Sequence, residues 1–155
     1  MSERYLRSIR LLVECVQQFE KLSDPYIRQF DLTQAQFDII ATLGNTQGFS
    51  CKELGEKTLI TKGTLTGVLD RLQSKHLIER VQCKEDRRLH YIRLTKKGEK
   101  LFEEAFPYVI QNMKARFKGF TKDDFAALEE QLIRLRETIS DYLCYQISAT
   151  RPSKK

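Results

Sequence analysis

A chain of 155 residues, 41% hydrophobic and 31% charged, suits one compact domain or two small lobes sharing a core, and excludes a large multidomain enzyme and a disordered chain. No window approaches the roughly 18 uninterrupted apolar residues of a membrane span. The N-terminal run carries charges where a secretory signal is apolar, so a soluble cytoplasmic protein with no membrane partner is expected. The net charge of +6 is concentrated: residues 50–100 hold 13 Lys and Arg against 7 Asp and Glu, while the rest of the chain holds 14 of each sign. Binding a phosphate backbone needs such a segment, because each cation near a phosphate releases condensed counterions. A solvated surface with chance clustering is the alternative.

In chain order, Leu6, Ile9, Leu12, Val13, Val16, Phe19 and Leu22 recur at three- and four-residue intervals and line one face of a helix ending near Ser23-Asp24-Pro25. Thr33 to Gln36 has the spacing of a capping box, with Leu32 and Phe37 as a hydrophobic staple, and opens a helix that turns Phe37, Ile40, Ala41 and Leu43 to the core. Ser50 to Glu53 repeats that spacing and opens a short helix ending around Thr58-Leu59-Ile60. Thr61 starts another, with Leu65, Val68, Leu69 and Leu72 on one stripe. The few residues between these two helices make the pair a helix-turn-helix.

Two strands are predicted at Leu77–Cys83 and Leu89–Thr95, joined by the polar hairpin Lys84-Glu85-Asp86-Arg87-Arg88. A helix-turn-helix followed by a basic-tipped hairpin is a winged helix. A long helical stretch begins at Thr95-Lys96-Lys97-Gly98 and runs to Phe117, with a kink predicted at Pro107. Thr121 starts the last helix, with Phe120 and Phe125 as a staple and Phe125, Leu128, Leu132, Leu135, Ile139 and Leu143 in 3-4-3-4 spacing, the seam of a coiled-coil-like pair. The fold class is therefore mainly α (α+β), a winged helix-turn-helix lobe with a helical dimerisation lobe built by the N- and C-terminal helices. The expected division is 1–30 and 100–148 for dimerisation, 31–99 for the winged lobe and 149–155 as a disordered tail.

A lobe of about 65 residues has too small a core to cover every one of these helical stripes. Leu6, Ile9, Val13, Leu128, Leu132, Leu135 and Ile139 are accordingly expected at a homodimer interface, with a monomeric helical cap as the alternative.

A recognition helix presents small, polar or cationic residues in its first turns to the major groove. Thr61, Lys62, Gly63, Thr64 and Thr66 fit: the hydroxyls reach phosphates, base edges or thymine methyls, and Gly63 and Gly67 allow close backbone approach. A poor helix tolerated by its packing is the bland reading. Arg71 and Lys75, one turn apart, are placed for phosphates or for a nearby acid, and Lys52 with the N-terminus of its short helix is a further phosphate candidate. Arg87 or Arg88 at the hairpin tip fits a narrow minor groove, or pairs with Asp86 or Asp70. His76, where the recognition helix ends, suits a cationic cap.

The run Leu65-Thr66-Gly67-Val68-Leu69-Asp70-Arg71-Leu72, then Leu77-Ile78-Glu79-Arg80, Glu85-Asp86-Arg87-Arg88 and Leu94-Thr95-Lys96-Lys97-Gly98, resembles the MarR family of bacterial transcriptional regulators. The likeness covers nearly the whole chain in element order and is densest from about Ser50 to Leu101. It implies a dimeric winged-helix repressor or activator on a pseudo-palindromic double-stranded DNA operator, released by a small anionic or aromatic effector in the cleft between dimer helices and winged lobe, or by oxidation of a cysteine. It does not select the effector.

Cys15 is the redox candidate, because peroxide-sensing members of that family carry a reactive cysteine in the first helix. Its neighbour Glu14 and the lack of an adjacent cation disfavour a thiolate, and a buried structural thiol is the ordinary outcome. Cys15, Cys51, Cys83 and Cys144 form no CxxC pair and are read as reduced thiols, and with His76 and His90 they lack metal-site spacing, so neither a metal nor a cofactor is expected. No phosphate loop, nucleophile elbow or paired metal-binding histidines point to an enzyme. Two rivals are a protein-docking winged helix without a DNA role and a cleft serving chiefly as a ligand or peroxide sensor.

Overall fold

A computed structural model describes residues 3–82 and 90–149, with the side chains of the last helix described as far as Tyr142. In chain order the elements are α1 (Arg4–Arg28), α2 (Gln34–Leu43), β1 (Phe49–Ser50), α3 (Cys51–Thr58), α4 (Lys62–Ser74), β2 (Ile78–Gln82), β3 (His90–Leu94), α5 (Lys96–Lys114), a 3-10 turn (Ala115–Phe117) and α6 (Lys122–Ala149). One compact unit runs as far as Lys114 and a second begins at Ala115.

Local chemistry accounts for most helix starts in the first unit. Thr33 Oγ1 accepts from the Gln36 amide at 3.3 Å and Gln36 Oε1 accepts from the Thr33 amide at 3.0 Å, closing the capping box of α2. Ser50 and Glu53 do the same for α3, at 2.8 and 3.3 Å. Before α5, Thr95 Oγ1 accepts from the Gly98 amide at 3.1 Å and donates to the His76 carbonyl at 2.7 Å. Gly98 is required by close approach, since a Cβ there would lie 2.0 Å from the Leu77 carbonyl oxygen.

The sheet is antiparallel in the order β1-β3-β2, with Ile78 opposite Leu94, Arg80 opposite Ile92 and Phe49 also opposite Ile92. The strands β2 and β3 lie within the predicted stretches. The two-residue β1 was not anticipated, because a strand that short shows no alternation to detect. The hairpin tip, with Cys83, Asp86, Arg87 and Arg88, lies outside the described residues, as does 150–155.

The first helix does not stop at Ser23-Asp24-Pro25. It continues to Arg28 with Pro25 inside it. Proline removes one helix hydrogen bond, but the turn around it is anchored by the fully buried Ile27 and by Ser23 Oγ, which donates to Gln34 Oε1 at 2.8 Å. Arg28 Nε also donates to Asp24 at 2.5 Å within that turn. Helix α5 ends three residues before Phe117, with a 3-10 turn over the remainder, and contains Pro107.

One buried cluster joins Ile27 of α1, Phe37, Ile39, Ile40 and Leu43 of α2, Leu54 of α3, the α4 stripe, the sheet residues Ile78, Ile92 and Leu94, and Ala105, Val109 and Met113 of α5. Fully burying an aliphatic side chain contributes about 1.5–3 kcal/mol, so the cluster fixes the relative placement of these elements. In the second unit, Thr121 and Asp124 exchange capping bonds at 2.8 and 3.1 Å, and Phe120 stands 5.3 Å from Phe125, the expected staple.

Among the described residues, the apolar stripes at the two ends remain largely exposed. Leu6 and Val13 are 53% and 51% exposed, Ile9 is also exposed, and on α6 Leu128, Leu132 and Ile139 are exposed while Leu135 is half-buried. Among the described residues no helix is long and apolar enough to cross a membrane.

The Asp38 carboxyl on α2 is pushed above its ordinary value, chiefly by burial and secondly by the Glu20 carboxylate on α1. As pH rises the unfolded chain gives up this proton first, near the ordinary value of about 3.9, so the ionised group costs the folded state above that range and nothing below it. Asp38→Asn is therefore expected to raise the unfolding temperature at pH 7 and to lose that advantage toward pH 3; an equal advantage at both pH values would refute it. Leu59, between α3 and α4, has φ 56° and is 88% exposed, so it bears left-handed strain without compensating burial. Leu59→Asn should add about 0.5–1 kcal/mol of stability by chemical unfolding, because asparagine tolerates this conformation; a loss of stability would contradict it.

Candidate nucleic-acid interface

Helix α4 has two chemically opposite faces. Leu65, Val68, Leu69 and Leu72 are buried against α2 and the sheet, while Thr61, Lys62, Gly63, Thr64 and Thr66 are exposed. Because the inner stripe is locked into the core, the helix cannot roll, and its first two turns face outward.

The chemistry of that outward surface is poorly consumed by the protein itself. Thr61 occupies the N-cap position yet its side chain caps no amide; its Oγ1 donates instead to Thr64 Oγ1 at 3.2 Å. The first amides of α4 are thus left without the side-chain cap that α2 and α3 possess, and uncapped helix amides suit an anion. A Cβ at Gly63 would meet nothing within 4 Å, and one at Gly67 would meet only the Arg71 guanidinium, at 3.7 Å. Neither glycine is demanded by internal packing, although each costs a helix up to about 1 kcal/mol relative to alanine.

The cations divide into free and engaged. Among the described residues, Lys52, Lys62 and Arg71 make no ion pair, and all three are exposed. The N-terminus of α3, itself a phosphate candidate, is occupied by the Ser50–Glu53 box, which brings a carboxylate there and leaves Lys52 as the cation. That carboxyl is held below its ordinary value, first by its hydrogen bonds from the Ser50 side chain and amide. Lys75 takes the nearby acid: its Nζ lies 2.8 Å from the Asp31 carboxylate and also donates to the Asp31 carbonyl. The hydrogen bond from Lys75, and then its charge, hold Asp31 below the ordinary carboxylate range.

Arg87 and Arg88 lie outside the described residues. Asp70, a candidate partner for one of them, is paired with Arg80 at 2.6 Å. His76 ends α4 through its backbone: with φ 58° it donates its amide to the Gln73 carbonyl at 2.9 Å, and Leu77 donates to Leu72 at 3.0 Å, a Schellman closure in which Leu72 and Leu77 are both buried. Arg80, Gln73 and Asp31 were not anticipated as site-shaping residues. The sequence signal available was that Arg80 stands two residues after Ile78, within the quoted Leu77-Ile78-Glu79-Arg80 motif, and so shares the face of β2 that Ile78 turns toward the core.

Two clefts flank the Asp31–Lys75 pair. One of about 620 Å³ is lined by Arg28, Thr33, Gln36 and Arg71 besides the pair, and one of about 390 Å³ by Phe30, Leu77, Lys97, Lys100 and Leu101. Cys15, expected to be buried, is exposed, as are its neighbours Val13 and Val16 on α1. Cys51 is exposed as well. Among the described residues no group of three or more His, Cys, Asp or Glu stands ready to hold a metal.

The model of the MarR family matches residues 32–90. An uncharacterized HTH-type transcriptional regulator of Bacillus cereus is 34% identical over 122 residues, covering 79% of this chain and 78% of its own length. Among solved structures, a cysteine-to-serine mutant of MarR from E. coli complexed with operator DNA aligns with a TM-score of 0.76 at 28% identity, covering 85% of this chain and 95% of that one. BpsR of Bordetella bronchiseptica, whose DNA binding is regulated by 6-hydroxynicotinic acid, aligns at 0.73 and 26% identity over 84% and 98% of the two chains. This chain belongs to the MarR family of DNA-binding, HTH-type transcriptional regulators.

Proposed function

We propose that the protein acts as a homodimeric repressor on a pseudo-palindromic operator, reading base edges with Thr61, Thr64 and Thr66, approaching closely at Gly63 and Gly67, and holding phosphates with Lys52, Lys62, Arg71 and the wing residues Arg87 and Arg88. The observation that carries this reading is the outward surface of α4, whose uncapped amides and two glycines serve no internal packing. Lys75 contributes indirectly, by fastening the end of α4 to Asp31. Residues 31–99 form the winged lobe, and 1–30 with 100–148 supply the dimerisation helices. The uncovered stripe of α1 (Leu6, Ile9, Val13) and that of α6 (Leu128, Leu132, Leu135, Ile139) support a second copy as the cover. A twofold pair would set the two recognition helices roughly 34 Å apart, one turn of duplex.

Release by a small anionic or aromatic effector is the second part of the proposal. It is supported by the regulation of BpsR by 6-hydroxynicotinic acid and by clefts here that combine apolar walls with Arg and Lys.

Selection of bound duplexes from a random pool tests the reading. Thr64→Ala should change the selected sequence, whereas Lys52→Ala should weaken selected and random duplexes alike and lower the salt slope by about one unit. Equal losses for both variants on both duplexes would count against the division of roles. Leu135→Asp should shift the sedimentation of the protein from dimer to monomer; an unchanged dimer of unchanged stability would place the interface elsewhere.

A further inference from the structure

We infer that Arg80 is the positioning residue that sets the reading surface of α4 against the wing, by gripping Asp70 and Gln73 with one guanidinium. Arg80 is the middle residue of β2, in register with Ile92 of β3. Its Nη2 donates to Asp70 Oδ1 at 2.6 Å and its Nη1 to Gln73 Oε1 at 2.7 Å. Asp70 and Gln73 stand three apart on one side of α4, so the planar fork fixes both the distance and the rotation of the helix relative to the sheet. A lysine has no fork and could hold only a distance.

The other flank of α4 is tied by Lys75 to Asp31. Both ties lie in the C-terminal half of the helix. In the N-terminal half, the side-chain hydrogen bonds among the described residues stay within the same segment, from Thr61 to Thr64 and from Thr66 to the Lys62 carbonyl. The helix is thus fastened at one end and presented at the other, which is how a fixed docking angle is obtained without obstructing the reading surface.

Arg80 has a second consequence through charge. Asp70 sits one turn beyond Thr66 and Gly67 on the exposed side of α4, where a lone carboxylate would repel phosphate. Its side chain is 58% exposed and that of Arg80 35%, so the pair adds little to stability. Its effect falls on orientation and on local charge, and the inference rests on the proposed reading role of Thr61–Gly67.

The test compares wild type with Arg80→Ala, Arg80→Lys, Asp70→Asn and the double variant Arg80→Ala/Asp70→Asn. Each is titrated against the duplex that wild type selects from a random pool and against a random duplex of equal length, with thermal unfolding in parallel. Arg80→Ala is expected to lose about tenfold or more on the selected duplex, with its unfolding temperature within about 3 °C of wild type. Adding Asp70→Asn should restore random-duplex affinity but not the ratio of selected to random. Arg80→Lys should keep the random-duplex affinity and lower that ratio, and it carries the comparison if the alanine variant does not fold. A ratio for Arg80→Ala within about twofold of wild type overturns the inference. So does a loss on both duplexes that simply follows a fall in stability. Thr64→Ala in the same panel separates the two readings, since an unchanged selected sequence there fails the reading surface itself, whatever Arg80 does.

Discussion

The burial of Leu65, Val68, Leu69 and Leu72 in the core is the constraint on which the rest of the site depends. Four aliphatic side chains, each contributing about 1.5–3 kcal/mol when fully buried, hold α4 in one rotational setting. Every residue on the opposite side is then exposed by geometry. The polar surface from Thr61 to Thr66 is therefore a product of the hydrophobic effect on the other side of the helix. Its glycines and hydroxyls determine only what that surface can touch.

Directional interactions refine what burial leaves loose. Apolar packing tolerates small slides along a helix axis, whereas a guanidinium fork or a lysine between a carboxylate and a carbonyl does not. Arg80 on the wing side and Asp31 on the side of α1 grip α4 at Asp70, Gln73 and Lys75. Because these groups are exposed or, for Lys75, half-buried, they add little to global stability. Their value lies in fixing geometry, the same logic by which His76 and the Schellman closure stop the helix where β2 must begin.

Charge and apolar surface are segregated along the chain. The excess cations lie between residues 50 and 100, while the uncovered apolar stripes lie on α1 and α6. Contiguous apolar surface is costly in water and calls for a cover, and concentrated positive charge calls for a polyanion. Membership of a family of DNA-binding transcriptional regulators accounts for the charge, and the second copy proposed above would account for the apolar stripes.

The sequence by itself determined whatever depends on neighbours a few residues apart. The boxes at Thr33–Gln36 and Ser50–Glu53, the staple around Thr121, the inner stripe of α4 and the placement of charge were legible because hydrogen-bond reach and helical period are local properties. The MarR resemblance rested on motifs of the same short range. Tertiary structure alone decided the continuation of α1 through Pro25, where a proline penalty is outweighed by a buried Ile27 and by Ser23 meeting Gln34 eleven residues away. It alone decided the pairing of β1 with β3, the choice of Asp31 as the partner of Lys75 across 44 residues, and the choice of Arg80 for Asp70. A charged side chain can name its preferred kind of partner from sequence. Which partner lies within 3 Å is settled only when the core has brought distant segments together.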